Sequence, residues 1–362
     1  MEQINVFKEK DKDSNFDFSQ YKFPSTRYQG SKAKIVDWIW ENIKDLEFNT
    51  ALDLFGGTGC VSYKLKKNGK EVIYNDILKF NSIIGKALIE NDSEIVTDSD
   101  IEKILTKNNK NYPTFIQDNF SHIFYLDEEN RWLDYVSYNI RNMENEYKKC
   151  MAYFALFQSC IIKRPYNLFH RANLYVRTSE VKRGFGNKAT WDKSFEEHFR
   201  NFIDEANKAV FNNKKKCISL NYNARNFPVE KYKPDLVYID TPYINSKGIG
   251  TDYLDFYHFL EGMVRYDEWD ELILHKYKHK TIKGKGENPW NNKKKILAEF
   301  DTIFSKFKDS ILVVSYRDNG IPTHEEIVDL LKMYKSEVVD VSKEYKYVLS
   351  TEKSNEMLII AK

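Results

Sequence analysis

Cysteine is scarce in these 362 residues: there are four, Cys60, Cys150, Cys160 and Cys217, and none stands in a C-x-x-C pair or at a metal-type spacing. A disulfide-stapled secreted fold and a structural zinc site are therefore disfavoured, and a reducing, cytoplasmic compartment is expected. Long apolar runs are also missing. The longest, around MAYFALFQSCII, is interrupted by Gln158 and is too short to span a membrane, and the polar start MEQINVFKEKDKDSNF has no signal-peptide character. There is no G-x-x-x-x-G-K-[ST] loop, and the dinucleotide pattern G-x-G-x-x-G begins at Gly57 and Gly59 but fails at Ser62, which disfavours ATP and NAD. Without H-E-x-x-H or G-x-S-x-G, zinc proteolysis and serine hydrolysis lack support as well.

What is present describes a globular protein. The chain exceeds the roughly 250–300 residues at which a single core stops growing, so two domains are expected. Aromatics make up 15%, an excess of flat side chains that mostly serve a core. The net charge of +2 hides an uneven distribution. Residues 161–188 carry seven Lys or Arg against Glu180 alone, and residues 276–295 carry eight Lys against Glu287 alone. Two such runs in a balanced chain point to a polyanionic partner. The second run reads equally well as a solvated lysine face; the first is interleaved with His, Tyr, Phe and Asn.

Residues 1–22 read as a flexible arm. Beyond them, Ile35, Ile39 and Ile43, beside Trp38 and Trp40, give a helical period after Gly30-Ser31. The β-type run TALDLF then stops at Gly56-Gly57-Thr58-Gly59, CVSYKLKKNG reads as a helix closed by Gly69, and EVIYND reads as a strand ending at Asp76. Strand, glycine turn, helix, strand and acid open a doubly wound, Rossmann-like α/β sheet. It resumes late, with strands expected at CISL, DLVYID, ILVVSYR, EVVDV and EMLIIA. The intervening 111–215 is mostly helical and is read as a second domain inserted into a first one made of 23–110 and 216–362.

Two places carry the chemistry. In D-x-F-x-G-x-G, at Asp53, Phe55, Gly57 and Gly59, glycine lets a ligand approach the backbone at a helix N-terminus, and Asp76 on the next strand can accept hydrogen bonds from both ribose hydroxyls of an adenosine-containing cofactor. A tight βα turn with an incidental acid is the plainer alternative. The second place is Asp240-Thr241-Pro242-Tyr243, at the C-terminal end of an apolar strand, where open α/β sheets bind ligands. An exocyclic amino group on a base is a poor nucleophile because its lone pair is delocalised into the ring. The Asp240 carboxylate can accept one N–H and the Thr241 carbonyl the other, Pro242 stiffens the turn, and Tyr243 offers a ring to stack on the base. Positioning and electrostatics would then supply most of the rate.

With RYQGSK at 27–32, DLFGGTG at 53–59, YND at 74–76 and DTPY at 240–243, the chain resembles the amino-group DNA methyltransferases, in the order of the alpha-group adenine-N6 class. RPYNLFHRANLYVR, RGFGNKATWD, DYLDFYHFLEG and YKYVLSTEKSNEMLIIAK are similar to stretches of restriction-system adenine methylases of the FokI type, so the resemblance runs from about Phe23 onward. It implies S-adenosyl-L-methionine as methyl donor and a seven-stranded sheet whose last two strands form a hairpin. Tyr28, Gly30 and Lys32 would lie beside the cofactor, Asp53, Phe55, Gly57 and Gly59 near its methionine part, Asp76 on its ribose, and Asp240 near both methyl and target. The family usually has D-P-P-Y. Thr241 keeps the carbonyl but loses the fixed φ, which would loosen the turn by about 1 kcal/mol.

Double-stranded DNA is the partner so implied, with the adenine flipped out and stacked on Tyr243, and with a cognate restriction endonuclease acting on the same site. The insert is then a target-recognition domain, with Arg164, His170, Arg171, Arg177, Arg183 and Lys188 as candidates for phosphate or base contacts. Methylation at cytosine carbon is disfavoured, because no proline precedes a cysteine. Cytosine N4 as target, and a DNA-binding homologue without activity, stay open as alternatives. His258 reads as a structural histidine rather than a base, and Tyr222-Asn223, at a strand end, as neighbours of the cofactor adenine.

Overall fold

A computed structural model describes residues 18–108, 111–180, 188–284, 286–345 and 354–362. Seven strands form one sheet: β1 (Thr50–Asp53), β2 (Glu71–Asn75), β3 (Ile218–Leu220), β4 (Leu236–Ile239), β5 (Ile311–Arg317), β6 (Val338–Tyr345) and β7 (Ser354–Ala361). Their spatial order is β3-β2-β1-β4-β5-β7-β6. The first five are parallel, and β7 runs antiparallel between β5 and β6, giving the terminal hairpin that the resemblance implied. The central strands read as continuous apolar runs because helices cover both faces; all four residues of β4 are buried. Asp53 stands level with Tyr74 on one side and Tyr238 on the other. That register brings the C-terminal ends of β1, β2 and β4 together where the strand order reverses, the place where such sheets hold ligands.

On one face lie α1 (Val36–Ile43), α2 (Cys60–Lys67) and α3 (Lys79–Gly85); α3 continues as a π-helical turn through Glu90. Ile35, Ile39 and Ile43 are buried, as their spacing requires. Between β2 and β3 the chain is helical, with α4 (Asp127–Arg141), α5 (Glu146–Ile162) and α6 (Phe195–Ala209) as its longest members among the described residues. Every residue of α5 from Cys150 to Ile162 is buried, so this helix has no polar face to show. One apolar cluster runs from Ala51 and Val72 on the sheet, through Ile84 on α3, to Phe154 and Phe157 on α5 and Phe199 on α6. The other face of the sheet is covered separately, by α8 (Ile296–Lys306) and α9 (His324–Lys332), while α7 (Tyr253–Val264) joins the first cluster.

Of the segment expected to be a flexible arm, residues 1–17 lie outside the described residues, and 18–22 pack against the fold. Phe18 and Tyr21 pack against Phe211, with ring centroids 5.1 and 4.9 Å away, and the Lys67 ammonium donates to the Tyr21 carbonyl at 2.8 Å. Apolar residues set among the charges hold residues 18–22 down. No helix among the described residues is long and apolar enough to cross a membrane.

Candidate active site

After β1 the chain turns through Gly57 (φ +50°) and Gly59 (φ +79°), left-handed conformations that suit glycine. Gly56 is needed for space: a Cβ there would sit 2.2 Å from the Tyr74 ring. Tyr74, fully buried, donates its hydroxyl to the Gly57 carbonyl at 2.7 Å and so supports the turn from below. Asp76 accepts the Gly57 amide at 3.0 Å on one oxygen and the Leu78 amide at 2.8 Å on the other. Burial pushes its carboxyl above the usual range, and the two amides oppose that. Asp53 is 1% exposed and accepts from the Ser62 hydroxyl at 2.7 Å; burial pushes it up to about 7.

At the end of β4, the Lys32 ammonium lies 2.8 Å from both carboxylate oxygens of Asp240. The same ammonium is 3.3 Å from Glu356, whose carboxylate also accepts from the Ser315 hydroxyl at 2.8 Å. Burial raises Asp240 to about 6; Lys32 works against this and Glu356 adds to it. Glu356 was not anticipated. The one signal for it was an acid heading the apolar run MLIIA, and what it faces is set by β7 pairing with β5, which places Glu356 level with Arg317.

Tyr28 is sandwiched between Tyr253 and Tyr257, with centroids 5.5 and 4.5 Å away and planes 6° and 7° from parallel. Gly30 (φ +80°) passes so near that a Cβ would lie 2.5 Å from the Tyr253 hydroxyl. This stack ties the RYQGSK segment to α7, and Tyr253 and Tyr257 were also unforeseen. Thr241 is 3% exposed, and its hydroxyl has no hydrogen-bond partner among the described residues. The proline usual at this position would bring no such buried hydroxyl, whose desolvation costs about 1–3 kcal/mol. Tyr243 is half-buried, edge-on to Tyr316, with the Arg317 guanidinium 4.9 Å from its ring centre.

A cleft of about 980 Å³ connects these parts: Lys32, Asp53, the glycine turn, Asp76, Asp240, Pro242 and Tyr253 all line it. So do Tyr222 and Asn223, as well as Trp290, which meets Phe55 edge to face at 5.3 Å. The donor set fits S-adenosylmethionine: bare glycine backbone, an acid at the end of β2 for hydroxyls, and a second acid beyond β4. The volume lies at the upper end of the range usual for a small-molecule or cofactor site, about 300–1,000 Å³.

The expected DNA contacts separate into two groups. Arg164 is 1% exposed, and its guanidinium donates to the carbonyls of Phe124, Leu168 and Arg171 and to Asn173. Arg177 makes a two-pronged pair with Glu129, at 2.7 and 2.9 Å, which Lys163 also joins. These two arginines face inward and bind the helical region together, a correction to their expected role at the DNA surface. Arg171 and Lys188 are exposed, His170 is half-buried, and Arg183 lies outside the described residues. His258 is fully buried with Nε2 3.2 Å from the Phe169 carbonyl, and burial pushes it down to about 3, so it stays neutral as a structural residue.

A family model described as D12 class N6 adenine-specific DNA methyltransferase matches residues 28–315. Among known proteins, the type II methyltransferase M2.HphI of Haemophilus parahaemolyticus is 31% identical over 86% of this chain and 88% of its own length. The modification methylase LlaI of Lactococcus lactis subsp. lactis is 26% identical over 85% of this chain, and the type II methyltransferase M.FokI of Planomicrobium okeanokoites 27% identical over 85%. The chain spans 49% and 47% of the length of these last two, about half.

Proposed function

Since the chain belongs to the D12 class of N6 adenine-specific DNA methyltransferases, with S-adenosylmethionine as methyl donor, we propose that its transfer reaction is run by Asp240-Thr241-Pro242-Tyr243 on an adenine flipped out of duplex DNA. The cofactor supplies an electrophilic methyl group on a sulfonium sulfur. The glycine turn and Asp53 receive its methionine part, Asp76 its ribose hydroxyls, and the Tyr28–Gly30–Lys32 segment closes the cleft beside it. The Asp240 carboxylate accepts one amino N–H of the adenine and the Thr241 carbonyl accepts the other, which draws nitrogen density out of the ring and toward the methyl group. Tyr243 stacks on the base, and Pro242 fixes the turn between them. Lys32, held by Glu356, keeps Asp240 oriented and ionised. One observation carries this reading: the Lys32–Asp240 pair at a strand end opens into the same cleft as the glycine turn and Asp76.

The helical stretch 111–215 is proposed to read the target sequence, with His170, Arg171 and Lys188 as its DNA-contact candidates. From the type II relatives we take the setting to be a cytoplasmic restriction–modification pair, with an endonuclease that cuts the same site. Labelled S-adenosylmethionine and mixed-sequence duplex DNA, followed by digestion and mass spectrometry, should yield N6-methyladenine. The Asp240→Ala variant should bind DNA as tightly as the parent and lose transfer by at least about 100-fold. Full activity in that variant would overturn the assigned mechanism.

A further inference from the structure

The second basic run lies against the cleft. Ile273 and Ile282 bridge antiparallel, the Leu274 amide donates to Thr281 and the Lys283 amide to Leu272, both at 2.8 Å, and these bonds close a hairpin over 272–283. Its tip is set by the Tyr277 amide on Leu274 (3.1 Å) and the Lys280 amide on Tyr277 (3.0 Å), with Lys280 at φ +52°. Both isoleucines are buried, and His279 Nε2 lies 3.2 Å from Asp255 on α7, the helix that carries Tyr253. The hairpin is therefore anchored to the active site, and Tyr277, His279 and Lys283 line the same cleft as Asp240.

Its charges are not neutralised. Lys276, Lys278 and Lys283 are exposed, and among the described residues none of the three has a carboxylate partner. Elsewhere on the surface lysines pair with acids, as Lys193 does with Glu197, Lys208 with Asp204 and Lys332 with Asp329. In the first basic run Lys163, Arg164 and Arg177 face inward. Exposed cations without acidic partners on one hairpin beside the cleft attract a polyanion.

We propose that the hairpin 272–283 is a DNA-contacting surface outside the helical region, on which Lys276, Lys278 and Lys283 take phosphates of the strand that delivers its adenine to the cleft. The proposal rests on the DNA methyltransferase reading above. Phosphate contacts fix the position of the duplex without reading sequence, so the effect is uniform across sequences.

The test titrates the full chain, and its Lys276→Gln/Lys278→Gln/Lys283→Gln variant, with a labelled mixed-sequence duplex over a range of salt concentrations. The triple variant should flatten the slope of log K against log salt by about 2–3 and raise KM for DNA on the order of tenfold. Melting temperature should stay at the parent value, and so should cofactor affinity in the Lys276→Gln/Lys278→Gln pair, whose side chains do not line the cleft. The corresponding triple Lys→Arg variant should keep the slope, and a Lys193→Gln/Lys208→Gln/Lys332→Gln control should leave it unchanged. If the triple variant melts early, Lys278→Gln alone decides, with an expected flattening of about 1. An unchanged slope in the glutamine variants overturns the hairpin assignment. A parent protein with no salt-dependent DNA binding overturns the DNA reading itself.

Discussion

In the proposed transfer Asp240 accepts most strongly as a carboxylate, yet burial and Glu356 hold it near 6 rather than at the usual carboxylate value of about 4. kcat/KM for S-adenosylmethionine, which reports groups of the enzyme before the cofactor binds, should therefore fall as pH drops through about 6. In Glu356→Gln the amide oxygen still accepts from Ser315 while the negative charge is gone, so the acidic limb should move to lower pH. A limb that stays in place would show that Glu356 does not act on Asp240. Asp240 was legible in the sequence because an acid at the end of an apolar strand has few other uses. Glu356 was not, because its meaning depends on a strand pairing formed far along the chain. Arg164 and Arg177 mislead for the complementary reason: the sequence displays a charge but not the carbonyl cage or the Glu129 carboxylate that draws it inward.

At the level of the element, the β1–turn–α2–β2 unit could be drawn from the sequence almost residue by residue, since apolar runs, glycines and the closing Gly69 all agree. The packing between elements could not. Gly85 closes α3, where alanine would ordinarily stabilise a helix by about 1 kcal/mol over glycine. Here a Cβ would meet the Tyr74 ring at 2.4 Å and the Ser219 hydroxyl oxygen at 2.6 Å. Gly85→Ala should therefore lower stability by about 1–3 kcal/mol, as overpacking does, and should weaken cofactor binding, because Tyr74 carries the Gly57 carbonyl. Urea unfolding and a cofactor titration check both; a urea midpoint at or above the parent's would overturn the packing account. The terminal hairpin came from family resemblance, which supplied a topology that local patterning does not encode.

For the whole molecule, the expectation of two domains followed from length, whereas the structure carries one apolar cluster from the sheet face into the helical region. Sheet and helical region should then unfold in one transition, with the calorimetric enthalpy matching the van't Hoff value. Two resolved transitions would overturn that coupling. Composition could not reveal it, because α5 reads as an ordinary apolar helix until its neighbours on every side are known. The Lys32–Glu356 ion pair has a consequence for synthesis. Its first member leaves the ribosome early, ahead of the glycine turn, and its second only when β7 is made. At about 5–20 residues per second, a nascent chain can hold its glycine turn for many seconds while β7, and with it the group that steadies Lys32 against Asp240, does not yet exist. Because β6 pairs with β7 alone, DNA modification by this protein starts only on a finished sheet, and a chain stalled before β7 should show none of the activity.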